Sequence, residues 1–178
     1  MAKKENKMPN SVYLGLGSNL GDRECYLIAA CNRLSQMEGF ETIALSPIYI
    51  SDAVEMDKST PSFLNMVIKG QFRYTPLELL ANIEKIEKEL GRKSKGDYQP
   101  RPIDIDILLF GSKICKLDRL VIPHKKMTQR PFVLVPLLQI DPDLLHPLTN
   151  KRFDSYLKKK DRESLILYKD IANNHVHT

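Results

Sequence analysis

The sequence predicts an α+β sandwich, a mainly antiparallel sheet with helices packed on it. The first sign is order. Stretches with apolar residues at every second position alternate with stretches of helical period, in the series strand, helix, strand, strand, helix, strand. That series suits a ferredoxin-like fold with its helices on one face. The second sign is size: 178 residues, 42% hydrophobic and 28% charged, make one ordinary globular domain with a real core. The third is that the helical stretches carry their own start and stop residues.

In chain order, "MAKKENKMPN" is basic and polar without an apolar heart, so residues 1–11 are expected to be a disordered arm and not a secretory signal. In "SVYLGLG", Val12, Leu14 and Leu16 alternate toward one face before glycine turns the chain. Asp22 is placed to cap a helix whose Leu27, Ala30, Cys31 and Leu34 share a side until Gly39 stops it. A second strand fits Thr42 to Ile50. The polar, acidic "SDAVEMDKSTP" reads as a long loop, and connections this long tend to be functional.

"SFLNMVIKGQF" is a third strand that sets Phe63, Asn65 and Val67 on one face. Thr75, Pro76 and Glu78 then form a capping box, with Leu79, Leu80, Ile83, Ile86 and Leu90 as the apolar stripe of the helix and Gly91 as its end. The basic loop "GRKSKGDYQPR" feeds the last strand of the series. From Lys113 onward the chain is proline-rich, with one short helix near Pro131 to Gln139. This part should pack on the sheet or its edge, within one domain of residues 12–170, leaving 171–178 as a flexible tail.

Net charge is +5, which fits a phosphate-bearing ligand or nucleic acid. Cys25, Cys31 and Cys115 form no close pair, and their odd number argues against a disulfide framework, so reduced thiols in a cytoplasmic protein are expected. No apolar run is long enough to span a bilayer.

The segment that points to chemistry is "RPIDIDILLFG". Successive strand residues face opposite ways, so Ile103, Ile105 and Ile107 share one face while Asp104 and Asp106 share the other. Two like charges this close need a cation between them, and a metal ion is the simplest. Arg92, Lys93, Lys95 and Arg101 stand nearby in sequence. Carboxylates with cations are what a magnesium-bound polyphosphate requires, since magnesium completes its octahedron with waters and phosphate oxygens.

With its flanks, this stretch resembles the 6-hydroxymethyl-7,8-dihydropterin pyrophosphokinases of folate biosynthesis. The likeness is carried by "YLGLGSNLGDR", "SFLNMV", "ELLANIEKIEKELGR", "QPRPIDIDILLFG" and "IPHKKMTQRPFVLVPL", in the family's order and spacing from about Val12 to Pro147. One departure is Gln99, where the family usually has a small residue. The resemblance implies transfer of a pyrophosphoryl group from ATP to the pterin hydroxymethyl oxygen, with AMP as the second product. It implies that Asp104 and Asp106 bind two magnesium ions, that Arg92 and Arg101 clamp phosphates, that His124 contacts phosphate, and that Arg119 and Arg130 surround the nucleotide. It makes Phe63 and Phe132 the walls of a pterin pocket, Asn65 the amide at the pterin edge, and Ser51 part of a loop that reads that edge. Glu87 matches a position suited to orienting an arginine, and Glu84 stands where many relatives have glutamine.

The expected partners are therefore small molecules, with no nucleic acid or membrane, bound by a monomer. The loops Ser51 to Pro61 and Gly91 to Pro100 are expected to close over the site. Two other classes compete. A palm-like nucleotidyltransferase also uses strand-borne aspartates and two metals but would release pyrophosphate. An RNA-binding ferredoxin-like module would need the RNP aromatic signature, which this chain lacks.

Overall fold

The computed structural model describes residues 8–52, 61–92 and 100–171. Its elements are β1 (Asn10–Ser18), α1 (Arg23–Ser35), β2 (Phe40–Leu45), β3 (Ile48–Ser51), β4 (Phe63–Phe72), α2 (Pro76–Glu89), β5 (Asp104–Phe110), β6 (Cys115–Leu117), β7 (Leu120–Ile122), α3 (Pro131–Ile140), α4 (Lys159–Glu163) and β8 (Ile166–Lys169). The main sheet runs β5-β1-β4-β3-β8, with β2 also on β4. All its pairings are antiparallel, and β6 with β7 forms a separate hairpin.

Local signals explain the helices. The Asp22 side chain accepts from the Cys25 N–H to open α1, and Thr75 with Glu78 makes the reciprocal capping box of α2. At the other end of α2, Gly91 takes φ +93°. The Gly91 N–H reaches the Lys88 carbonyl and the Arg92 N–H the Glu87 carbonyl, which is a Schellman turn. That turn brings the Arg92 guanidinium to Asp104 of β5.

The one strand expected over Thr42 to Ile50 is two, because Pro47 has no N–H for a ladder. Ser46 bridges the gap: its N–H donates to the Val67 carbonyl (2.9 Å) and its hydroxyl accepts from the Val67 N–H (2.8 Å). Both short strands therefore still run along β4.

Helices cover both faces of the sheet, not one. Val12, Leu14 and Leu16 of β1, Leu64, Met66 and Ile68 of β4, and Ile105 and Ile107 of β5 pack under α1 and α2. The opposite face carries Tyr13, Val67, Leu108 and Leu109, and it is buried by Val133, Leu134, Leu137 and Leu138 of α3. A β-bulge sets this up: Tyr13 pairs with Leu109 and Leu14 with Ile107, so Leu108 is the extra residue and sits in the same cluster as Leu109. The far end of α3 is tied down by Asp141, whose carboxylate accepts from the Tyr13 hydroxyl (2.6 Å) and the Lys69 ammonium (2.7 Å).

The ends of the domain differ slightly from expectation. β1 already starts at Asn10, opposite Phe72, because its backbone groups pair with β4 two residues earlier than position 12. Ile171, expected in the tail, is 2% exposed and belongs to the core. The expected closing loops fall largely on residues 53–60 and 93–99, outside the described residues, together with Lys93, Lys95 and Gln99. Among the described residues no helix is long and apolar enough to cross a membrane.

Candidate active site

A cavity of about 650 Å³ opens on the α3 face of the sheet. Its floor follows from strand register. Gly15 of β1 stands opposite Asp106 and Gly17 opposite Asp104, while Gly17 also faces Asn65 of β4. Those glycines keep the floor open. A Cβ at Gly17 would lie 3.3 Å from Asn65 Oδ1 and 3.4 Å from Phe63 Cδ1, pressing on both.

Every site residue anticipated from the sequence lines this one cavity: Ser51, Phe63 and Asn65 on β3 and β4, Asp104 and Asp106 on β5, Arg92 and Arg101 beside it, and Arg119, His124, Arg130 and Phe132 from the later chain. Glu84 joins them, but Glu87 does not, being buried behind Arg92. The cavity wall also includes Gly15, Gly17, Asp118, Lys125 and Lys126, which the sequence reading did not select. The glycines had a signal: in "YLGLG" the large residues alternate with none, so one face of β1 lacks side chains.

Each aspartate has cationic company. Arg92 bridges Asp104 and Glu87, with 2.6 Å from its Nη1 to Glu87 Oε1. Arg101 Nε lies 3.6 Å from the other Asp104 oxygen. Asp106 Oδ2 is 3.9 Å from both His124 Nε2 and Arg130 Nη1. Glu87, 2% exposed, also holds the strand, since its Oε1 accepts from the Ile105 N–H (2.7 Å). One buried carboxylate thereby fixes the guanidinium and the start of β5 together. Toward the mouth, Arg119 pairs with Glu84 at 2.9 Å, an exposed contact that a ligand can take over at little cost.

On the other side, Asn65 Nδ2 is 2.8 Å from Ser51 Oγ, holding the amide against β3. The guanidinium of Arg101 lies 5.9 Å from the Phe63 ring centre and that of Arg130 lies 5.6 Å from the Phe132 ring centre. Both rings are only half-buried, so each keeps surface for a ligand.

His124 owes its place to the bulge, since its N–H donates to the Leu108 carbonyl at 2.9 Å. Burial, with the Arg130 guanidinium beside it, pushes the imidazole down to about 4. Its Nδ1 accepts from the Lys126 N–H (3.3 Å), which leaves the proton on Nε2, the nitrogen nearer Asp106. His124 thus enters neutral chemistry as a hydrogen-bond donor. An unfolded histidine titrates near 6.5, so between about pH 6.5 and 4 the unfolded ligand-free chain binds a proton that the folded one refuses. Stability should therefore fall as pH falls through that window, by up to about 1.4 kcal/mol per unit. Urea denaturation at pH 7 and pH 5 should show a shallower fall for His124→Gln than for the parent. Equal falls would assign the dependence to other groups.

The two carboxylates suit magnesium. Their oxygens are hard donors two residues apart on one strand face and reach the cleft. Among the described residues no group of three or more His, Cys, Asp or Glu could hold a metal by protein ligands alone. A cation here would depend on ligand oxygens for the rest of its shell, as magnesium bound with a polyphosphate does.

Strand-borne carboxylates ringed by guanidinium groups, next to two half-buried phenylalanine rings, suit phosphoryl transfer to a flat heterocycle, so the class that fold and cleft fit is the α+β phosphoryl-transfer enzymes. Comparison narrows the class. Residues 13–142 match the model of the 7,8-dihydro-6-hydroxymethylpterin-pyrophosphokinase family. A 2-amino-4-hydroxy-6-hydroxymethyldihydropteridine pyrophosphokinase of Aquifex aeolicus is 42% identical over 141 residues, covering 79% of this chain and 86% of that protein. The chain belongs to this pyrophosphokinase family. It is also 42% identical over 158 residues to the folic acid synthesis protein fol1 of Pneumocystis carinii, of which it spans 21%. In structure it resembles a Plasmodium falciparum HPPK-DHPS solved with pterin and p-hydroxybenzoate, with a TM-score of 0.67 over 86% of this chain and 43% of that one. At 17% identity, that likeness speaks for the fold alone.

Proposed function

We propose that the chain transfers a pyrophosphoryl group from ATP to the hydroxymethyl oxygen of 6-hydroxymethyl-7,8-dihydropterin. The observation that carries the reading is that Asp104, Asp106 and their guanidinium partners meet Phe63, Asn65 and Phe132 in one and the same cavity. In the reaction a bond forms between the pterin oxygen and the β-phosphorus, the bond from that phosphorus to the α-phosphate oxygen breaks, AMP leaves, and the hydroxyl proton passes to solvent.

Asp104 and Asp106 would hold two magnesium ions. Bound there, the ions would supply charge neutralisation and a lowered pKa for the attacking hydroxyl. Arg92 and Arg101 would exchange part of their contact with Asp104 for phosphate oxygens, for which forked guanidinium donors are well shaped. Arg130 and the Nε2–H of neutral His124 would add donors on the Asp106 side, and Arg119 would leave Glu84 for the nucleotide. Phe63 and Phe132 would stack on the pterin while Asn65, steadied by Ser51, bonds its polar edge. Catalysis on this reading is chiefly positioning and charge neutralisation. A cytoplasmic monomer acting on small molecules completes the proposal, and the free thiols of Cys25, Cys31 and Cys115 support that compartment.

The test is product analysis with ATP, magnesium and the pterin alcohol. AMP and the pterin pyrophosphate are expected; ADP, or free pyrophosphate without AMP, would overturn the reading. Phe132→Ala should weaken pterin binding by about 1–3 kcal/mol through lost stacking and area. Titration calorimetry with a non-hydrolysable ATP analogue should show little change. Equal losses for both ligands would make Phe132 a packing residue.

A further inference from the structure

We propose that Asn19 is a positioning residue for Arg101, and that this is the contribution of the "GSNLG" turn to the cleft. The proposal rests on the phosphate-binding role given to Arg101 above. Asn19 is 1% exposed and does not line the cavity, so it can act only through a neighbour.

The neighbour is set by strand register. β1 and β5 pair Gly17 with Asp104, and continuing that ladder by two residues would set Asn19 opposite Pro102. Proline has no N–H, so an ordinary ladder ends there. Asn19 extends the pairing one residue further. Its own N–H donates to the Arg101 carbonyl (3.2 Å), and its side-chain Oδ1 accepts from the Arg101 N–H (2.9 Å). Both polar groups of the Arg101 backbone are therefore held by one residue. Because Arg101 precedes proline, its backbone is confined to extended conformations. A fixed backbone with few options aims the side chain, and the guanidinium lies between the Phe63 ring and Asp104.

The turn and the start of α1 that follows it also hold the segment before Phe63. Arg23 Nη1 donates to the Ser62 carbonyl (2.7 Å) and to its hydroxyl (2.9 Å), one residue before Phe63. Asn19 Nδ2 also approaches the Pro61 carbonyl at 3.5 Å. The corner where phosphate and pterin groups would meet is thus anchored by Asn19 and Arg23, neither of which lines the cavity.

A double-mutant cycle tests this, with Asn19→Ala and Arg101→Ala alone and combined. Asn19→Ala should lower kcat/KM for ATP about tenfold, the scale of one lost bond to a buried partner. In the Arg101→Ala background it should cost less than about twofold, because the two residues act as one unit. Independent, multiplicative losses would overturn the proposal. Asn19→Ser, which leaves a smaller void and a hydroxyl, provides the same cycle if the alanine variant does not fold. A second measurement does not depend on turnover: in the free protein, the Arg101 Nε–Hε NMR signal should shift with Asn19→Ala or Asn19→Ser. If the parent makes no AMP, the functional reading fails, and this signal alone decides the proposal. An unmoved Arg101 signal overturns it.

Discussion

Asp104→Asn and Asp106→Asn are each expected to cut AMP formation by on the order of 10³-fold while the protein still melts near the parent temperature. Asparagine keeps the volume and one oxygen of aspartate but removes the charge that faces the cleft. Both carboxylates are partly exposed on the cavity side of β5, so the core beneath, built from Ile103, Ile105 and Ile107, is not disturbed. Arg92 retains Glu87 when Asp104 is neutralised. The loss should appear in kcat and resist added ATP, because the charge is needed where the phosphoryl group moves. Turnover near that of the parent with either substitution would refute the metal-holding role.

Glu87→Ala should be the most damaging change to the fold itself, at about 3 kcal/mol. The carboxylate is buried, accepts from both Arg92 and the Ile105 N–H, and is the hinge between the end of α2 and the start of β5. Removing it takes a buried charge from Arg92, strands a backbone donor and opens a void. Glu87→Gln keeps an acceptor and the volume, so it should lose less stability. Urea unfolding of the two variants beside the parent gives the comparison. A Glu87→Ala protein as stable as Glu87→Gln would show that the Ile105 bond and the filled volume contribute little beyond the charge, which both variants lose.

Much of this site is legible in the residues themselves. Parity along β4 and β5 already divides Phe63, Asn65, Asp104 and Asp106 from the apolar positions between them, because alternation is a property of any extended chain. The caps of α1 and α2 are equally local, being formed by side chains three residues from their partners. Residue type and spacing, matched to the family's motifs, were enough to pick out most of the charged and aromatic side chains of the cavity in advance of any geometry, though not Gly15, Gly17, Asp118, Lys125 or Lys126.

Other features have no local signature. Splitting of the second strand could have been suspected from Pro47, but its repair by the Ser46 hydroxyl depends on Val67, 21 residues away. The bulge at Leu108 looks like uninterrupted strand in the sequence, yet it turns Leu109 to the α3 face and presents the carbonyl that holds His124. α3 is apolar but for Gln139 near its end, so no periodicity could say which side of the sheet it would cover.

By itself, then, the amino-acid sequence determined the helices α1 and α2 with their caps, the strands β1, β4 and β5 and the faces of Phe63, Asn65, Asp104 and Asp106, since these follow from backbone periodicity and short-range hydrogen bonds, while the other chemical types of the site were read from motifs shared with the family. Only the tertiary structure decided that helices would cover both faces, that Gly15 and Gly17 would be the floor between the aspartates and Asn65, that the arginine held by Glu87 would be Arg92, and that Asn19 would stand behind Arg101. The reason is range. Those arrangements are set by ladder register and by buried polar groups that must find partners far along the chain, and such a partner is defined only once the strands lie side by side.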